Sequence, residues 1–221
     1  YRAASPLRAL REAGLAHTLL FGSREAGRVL WLSPEEIAAL DPDFTYWNFI
    51  VDDLRLAEGL ARCARDFPSL PRIYGLDDRI GDLPNSHPLA GTFQGPQLDR
   101  RVREALALCQ RLVVSTEPLA ELYGPHVESV CIVPNRLEAA LWRDITAPSS
   151  SLNRRPRLRV GWAGAAQHAA DLALLQPVIA ELADSVDWVF FGMAPAGCEV
   201  WIREIHPPVA FRDYPARLAA L

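Results

Sequence analysis

The chain has 221 residues, half of them apolar, which is enough to bury one large core or two small ones and too much for wholesale disorder. Its net charge of −4 argues against a nucleic-acid surface, and all 23 basic residues are arginine. With no lysine, a Walker lysine, a Schiff base and a lysine general base are excluded.

The N-terminal segment "SPLRALREAG" predicts a helix with Ser5 at the N-cap, Pro6 at its first position and Gly14 beyond its end. Leu7, Leu10 and Ala13 then share one face. "HTLLFG" reads as a strand. "SPEEIAAL" reads as a short helix opened by a capping box from Ser33 to Glu36. "FTYWNFI" is an apolar, aromatic strand, and residues 53–66 form a helix with Leu54, Ala57, Leu60 and Ala61 inward. "RIYGLDD" is a strand ending in two carboxylates, followed by an irregular Gly-, Pro- and Asn-rich stretch over 81–96. Residues 97–110 form a helix with Leu98, Val102, Ala105, Leu106 and Cys109 on one stripe. "RLVVST" is a strand, "TEPLAELYG" a helix with Thr116 as its cap, and "SVCIVPN" a further strand.

The composition shifts at 138–156, where "APSSSLNRRP" reads as a linker. The strand–helix pattern then restarts. It gives strand 158–162, helix 171–183 with Pro177 forcing a kink or a restart, and strand 187–192. A short helix near 198–204, a short strand near 208–211 and a final helix complete it. Strands alternating with helices imply an α/β protein with mostly parallel sheets, in two Rossmann-like units. The predicted domains are 1–137 and 157–221, joined by 138–156. The chain starts at Tyr1-Arg2 and stops within a helical pattern, so it reads as a piece of something longer, its second unit incomplete. No signal peptide, lipidation motif or long apolar segment is present, which points to the cytoplasm and leaves peripheral membrane contact open. Cys63, Cys109, Cys131 and Cys198 form no C-x-x-C pair, and no metal site is expected.

Ligands of open α/β sheets bind beyond the carboxyl ends of the strands, so the residues there are the candidates. Asp77-Asp78 end one strand, where a carboxylate could act as a base toward a hydroxyl or orient it; the alternative is a turn cap. Ser115 and Thr116 end the next and read first as caps, as Asp52-Asp53 do. Asn135 and Gly192 end two others. "RVGWAGAAQHAADLALL" places Gly161 late in strand 158–162 and Gly164 just past it, with His168 and Asp171 following. Two readings stand there. One is a turn in which Asp171 only caps the helix. The other is a seat for a phosphate, with glycines that let the backbone approach, free N–H groups at the helix start and a donor from His168.

"YRAASPLRALREAG", "RIYGLDDRIGDLPNSHP", "RLVVSTEPLAELYG", "VCIVPNRLE" and "RVGWAGAAQHAADLALL" together resemble bacterial glycosyltransferases of the two-domain GT-B architecture, the group-1-like kind. The resemblance implies an enzyme of cell-surface polysaccharide synthesis that moves a sugar from a nucleotide-diphosphate donor to a hydroxyl of a glycan or lipid-linked acceptor. No cofactor beyond the donor is implied. By position, the glycine loop with Gly161, Gly164 and His168 would meet the donor diphosphate. The family's arginine and lysine are missing there. Tyr1 and Arg2 match a loop facing the cleft, with Asn135 and Gly192 also lining it, and Asp77 and Asp78 would be catalytic. The family's glutamate-rich segment would lie beyond residue 221, so the chain alone is expected not to transfer sugar. A sugar-nucleotide epimerase of the same architecture and a non-catalytic α/β binding module are the alternatives.

Overall fold

A computed structural model describes residues 4–17, 24–25, 28–29, 32–48, 54–79, 95–145 and 157–221. These residues form two compact α/β units that divide between Arg136 and Leu137. Tyr1, Arg2, nearly all of the expected strand "HTLLFG", the stretch 80–94 and most of the expected linker lie outside the described residues.

The first unit opens with α1 (Ala4–Glu12), which takes in Ser5, the expected cap, and is followed by Gly14 at φ +70°. β1 (Arg24–Glu25) and β2 (Arg28–Val29) pair antiparallel. α2 (Pro34–Leu40) is opened by the capping box read from the sequence: the Glu36 amide donates to Ser33 Oγ at 3.2 Å, and the Ser33 amide to Glu36 Oε2 at 2.7 Å. Then come β3 (Thr45–Asn48), α3 (Leu54–Asp66), β4 (Arg72–Leu76), α4 (Gly95–Leu106), β5 (Arg111–Val114), α5 (Glu117–Tyr123) and β6 (Ser129–Ile132). β3 to β6 form one parallel sheet in the order β3-β4-β5-β6.

The core lies between this sheet and its helices. Tyr74 and Leu76 of β4 and Leu112 and Val114 of β5 pack with Leu119 and Tyr123 of α5 and with the predicted α4 stripe, every member of which is buried. Each fully buried leucine of such a cluster contributes about 2 kcal/mol. The α3 face differs from expectation. Leu60 and Cys63 are buried, whereas Ala57 and Ala61 are exposed. Leu60 stays inward as expected, since burying a leucine removes far more apolar area from water than burying an alanine, and Cys63 joins it in place of Ala57 and Ala61.

The second unit begins with α6 (Ala139–Trp142), inside the expected linker; its Trp142 meets Tyr214 edge to face at 6.3 Å. β7 (Leu158–Ala163), α7 (Ala169–Ala173), α8 (Gln176–Glu181), β8 (Val186–Phe191), β9 (Ile202–His206) and α9 (Tyr214–Ala219) follow. β7-β8-β9 is a parallel sheet in chain order. The expected 171–183 helix is two helices, with Pro177 in the first turn of the second, where its missing N–H costs nothing. The expected helix at 198–204 is one 3₁₀ turn, Glu199–Trp201, and the strand follows at once, several residues earlier than expected. Ile202, Glu204 and His206 are half-buried on one face of the strand and Arg203 and Ile205 exposed on the other, and Pro207-Pro208 ends it by removing two ladder donors. β8 lies between two strands and is buried along nearly its whole length; Trp188 and Phe190 pack on Leu172, Ile179 and Cys198.

Below the first sheet, at the amino ends of its strands, Arg72 is only 5 % exposed. Its Nε donates to the Leu108 carbonyl at 2.6 Å, and its Nη1 to the carbonyls of Phe67 at 3.0 Å and Leu70 at 2.7 Å. Replacing Arg72 with methionine should lower stability by about 3 kcal/mol or more, because several inward carbonyls lose a charged donor. Arg72→Lys should recover only part of this, since an ammonium cannot span the fork. Urea unfolding of the three proteins measures both effects.

Candidate functional site

In the first unit β4 and β5 run in register, with Leu76 opposite Val114, so their carboxyl ends leave the sheet side by side. The sequence assigned Ser115 and Thr116 to capping. Thr116 takes the N-cap position of α5 with extended backbone, but its side chain makes no cap bond. Ser115, buried, donates instead from Oγ to the Asp77 carbonyl at 3.2 Å. That bond ties the two strand ends together and fixes where the acidic pair begins.

Between Asp77–Arg79 and α5 lies an open cleft of about 580 Å³ lined by Asp77, Asp78, Arg79, Thr116, Leu119 and Glu121, among others. Asp77 is half-buried and Asp78 exposed. Carboxylates on the rim accept hydrogen bonds, Arg79 donates them, and the leucine side of α5 gives an apolar wall. Such a cleft can hold a small molecule by its hydroxyls and orient one of them toward a carboxylate. Behind it, Tyr123 donates to Asp99 Oδ1 at 3.1 Å, and Asp99 pairs with Arg103 at 2.8 Å. Burial, and then the Asp99 carboxylate, push the Tyr123 phenol up to about 12, so it stays a donor and holds α5 on α4. Asn135 is exposed beyond β6 and is not among the residues lining this cleft.

In the second unit Gly161 lies within β7, opposite Val189, inside the predicted strand 158–162. The Gly164 amide donates to the Phe191 carbonyl at 3.0 Å, and the Gly192 amide to the His206 carbonyl at 2.9 Å. Gly192 has φ +101°; a Cβ there would run into the Gly164 carbonyl oxygen, and a Cβ at Gly164 into the Trp162 ring. The close approach of the two strand ends therefore requires glycine at 192, and the Trp162 ring requires it at 164.

Past Gly164, one 3₁₀ turn (Ala166–His168) leads into α7, and His168 holds the N-cap position of that helix. The capping reading of Asp171 is corrected here. The helix begins at Ala169, which moves Asp171 to the third helical position, from which it reaches back to the imidazole. His168 Nδ1 lies 3.0 Å from Asp171 Oδ2. A carboxylate only accepts, so Nδ1 carries the proton and Nε2 is left for another partner. Trp162 meets the imidazole edge to face at 6.3 Å, and the His168 side chain is half exposed.

A further cluster escaped the sequence reading. Glu204 Oε2 accepts from Arg159 Nη2 at 2.8 Å and from His206 Nε2 at 3.0 Å, and Arg217 Nη2 meets His206 Nδ1 at 2.8 Å. Arginine has only donors, so Nδ1 accepts and His206 is the neutral Nε2–H tautomer. Gly161 shares its face of β7 with Arg159 by strand alternation. The available signal was the period-2 spacing of Glu204 and His206, hidden once the strand was expected only from residue 208.

Among the described residues no group of three or more His, Cys, Asp or Glu is placed to hold a metal ion, and no helix is long and apolar enough to cross a membrane. No family model and no curated protein matches the chain.

Gly192→Ala should cost about 2 kcal/mol or more, since it combines a left-handed φ with an atom forced onto a carbonyl oxygen. A thermal melt of this variant beside Gly197→Ala, whose Cβ would meet open space, separates the clash from backbone strain alone.

Proposed function

We propose that this chain belongs to a glycosyltransferase of the GT-B type, which moves a sugar from a nucleotide-diphosphate donor to a hydroxyl of a glycan or lipid-linked acceptor. The observation that supports this best is the matching of the two strand edges. Each unit carries, at the carboxyl ends of its parallel strands, groups suited to one half of that reaction: an acidic cleft in one, and a glycine turn with an oriented imidazole in the other.

In this reading the second unit holds the donor. The amides that open the turn at Ala166 and the Nε2 of His168 bind the diphosphate, with Gly161, Gly164 and Gly192 keeping side chains away from it. Asp171 is a positioning residue, because it fixes the imidazole tautomer. In the first unit Asp77 or Asp78 accepts the proton of the acceptor hydroxyl. The bond from the anomeric carbon to the diphosphate oxygen breaks, the bond from that carbon to the acceptor oxygen forms, and the electron pair leaves on the diphosphate. Hydrogen bonds from His168 and the turn stabilise that departing charge.

Isothermal titration with a panel of nucleoside diphosphates tests the reading at the level of binding. One of them should bind, and His168→Ala should weaken it by about 1.5–3 kcal/mol, the scale of a hydrogen bond to a charged group. Asp171→Ala should weaken the same ligand by a smaller amount, through the freed ring. No binding by any member of the panel, or affinity unchanged in both variants, would overturn it.

A further inference from the structure

β6 ends the first sheet in the order β3-β4-β5-β6, so one side of it faces no strand among the described residues. The Ser129 amide donates to Gln110 and the Val133 amide to Val114, so residues 129, 131 and 133 turn their polar backbone groups toward β5. By strand alternation Val130, Ile132 and Pro134 turn theirs outward. The side chains on this strand are unusually apolar for a free edge: Val130, Ile132 and Val133 are 38 %, 41 % and 48 % exposed. Cys131 is exposed beside them. Of the usual means by which a free edge is blunted, it carries neither inward charge nor bulge, only Pro134 two residues past the strand, which leaves each Val130–Pro134 pair of an added ladder one donor short.

The flanking charges select the occupant. The segment reads Glu128-Ser-Val-Cys-Ile-Val-Pro-Asn-Arg136, with an acid four residues before Ile132 and a base four residues after it. An antiparallel copy of the same segment, centred on Ile132, sets Glu128 opposite Arg136 at both ends of the ladder. It sets Val130 opposite Pro134 and Cys131 opposite Val133. The two Ile132 residues, whose groups point outward, then exchange their N–H and C=O as a hydrogen-bonded pair. A two-fold axis demands this self-complementary arrangement. We infer that the β6 edge is a self-association surface, where a second copy of this chain adds its own β6 antiparallel to make one eight-stranded sheet across the dimer.

Three variants of the full chain test it. Ile132→Pro deletes an outward amide that the intramolecular ladder does not use, so it should raise the dimer dissociation constant at least tenfold in sedimentation equilibrium while the thermal melt of dilute protein stays close to wild type. Arg136→Glu should weaken the dimer by sets of like charges, and Glu128→Arg with Arg136→Glu should restore it. Val133→Cys sets a thiol opposite Cys131 of the second copy in a non-hydrogen-bonded pair, whose spacing suits a disulfide. Mild oxidant should then give a covalent dimer at once, absent from wild type. A chain that stays monomeric at tens of micromolar would overturn the inference. So would a dimer indifferent to Ile132→Pro and to the charge exchange, or one that fails to cross-link through Val133→Cys.

Discussion

A single buried guanidinium organises the first unit. Arg72 has carbonyls, not carboxylates, for partners, and they lie just past the ends of α3 and α4. Those are the negative ends of two helix dipoles, so a cation there satisfies orphan acceptors and dipoles together. The Arg72 amide also donates to Gln110 Oε1 at 2.8 Å, and the Gln110 amide to the Arg72 carbonyl at 3.0 Å. Gln110 in turn accepts from Ser129 at 3.2 Å. One residue therefore joins two helices and, through Gln110, three strands at the amino end of the sheet. Cys63 and Cys109 lie beside it, and burial outweighs the arginine's pull on both thiols, raising Cys109 to about 12. They remain neutral packing groups, and the charge of Arg72 is met by backbone alone.

With the register fixed at that end, the opposite end is free to carry chemistry. β4 and β5 are short, and they emerge level with each other, which puts Asp77 and Ser115 within hydrogen-bonding reach. The second unit reaches a comparable edge by other means. Among its described residues no buried arginine anchors the sheet; the stack of Phe191 on Tyr214, with centroids 5.1 Å apart, and the Arg159–Glu204–His206–Arg217 chain hold α9 and the three strands. The tight meeting of Gly164 and Gly192 then sets the turn that bears His168.

Much of this was legible in the sequence wherever a local rule and the tertiary structure agree. The Ser33–Glu36 box, the α4 stripe and the restart at Pro177 each follow from spacing alone, and each is found in place. The misses share a cause. The inward face of α3 follows Leu60 and Cys63, whereas periodicity alone let Ala57 and Ala61 share it equally well. β9 was displaced in expectation because a five-residue strand with three polar residues, ending in His206-Pro207-Pro208, resembles a loop until its neighbour β8 is known. Asp171 was read as a cap because the helix start could not be fixed to within two residues; that shift turned a cap into the partner of an imidazole. Glycine is equally ambiguous in sequence: Gly164 reads as room for a ligand, yet the Trp162 ring already requires it.

The account stands or falls on whether the carboxyl ends of β7 and β8 form a diphosphate seat. Amide-resolved nuclear magnetic resonance of the chain, titrated with nucleoside diphosphates and with inorganic pyrophosphate, observes that edge directly. The account predicts saturable shifts concentrated on the amides from Ala163 to Asp171, smaller ones at Gly192, and the same turn responding to pyrophosphate alone. Shifts scattered over other surfaces, or none along this turn at millimolar ligand, would contradict it.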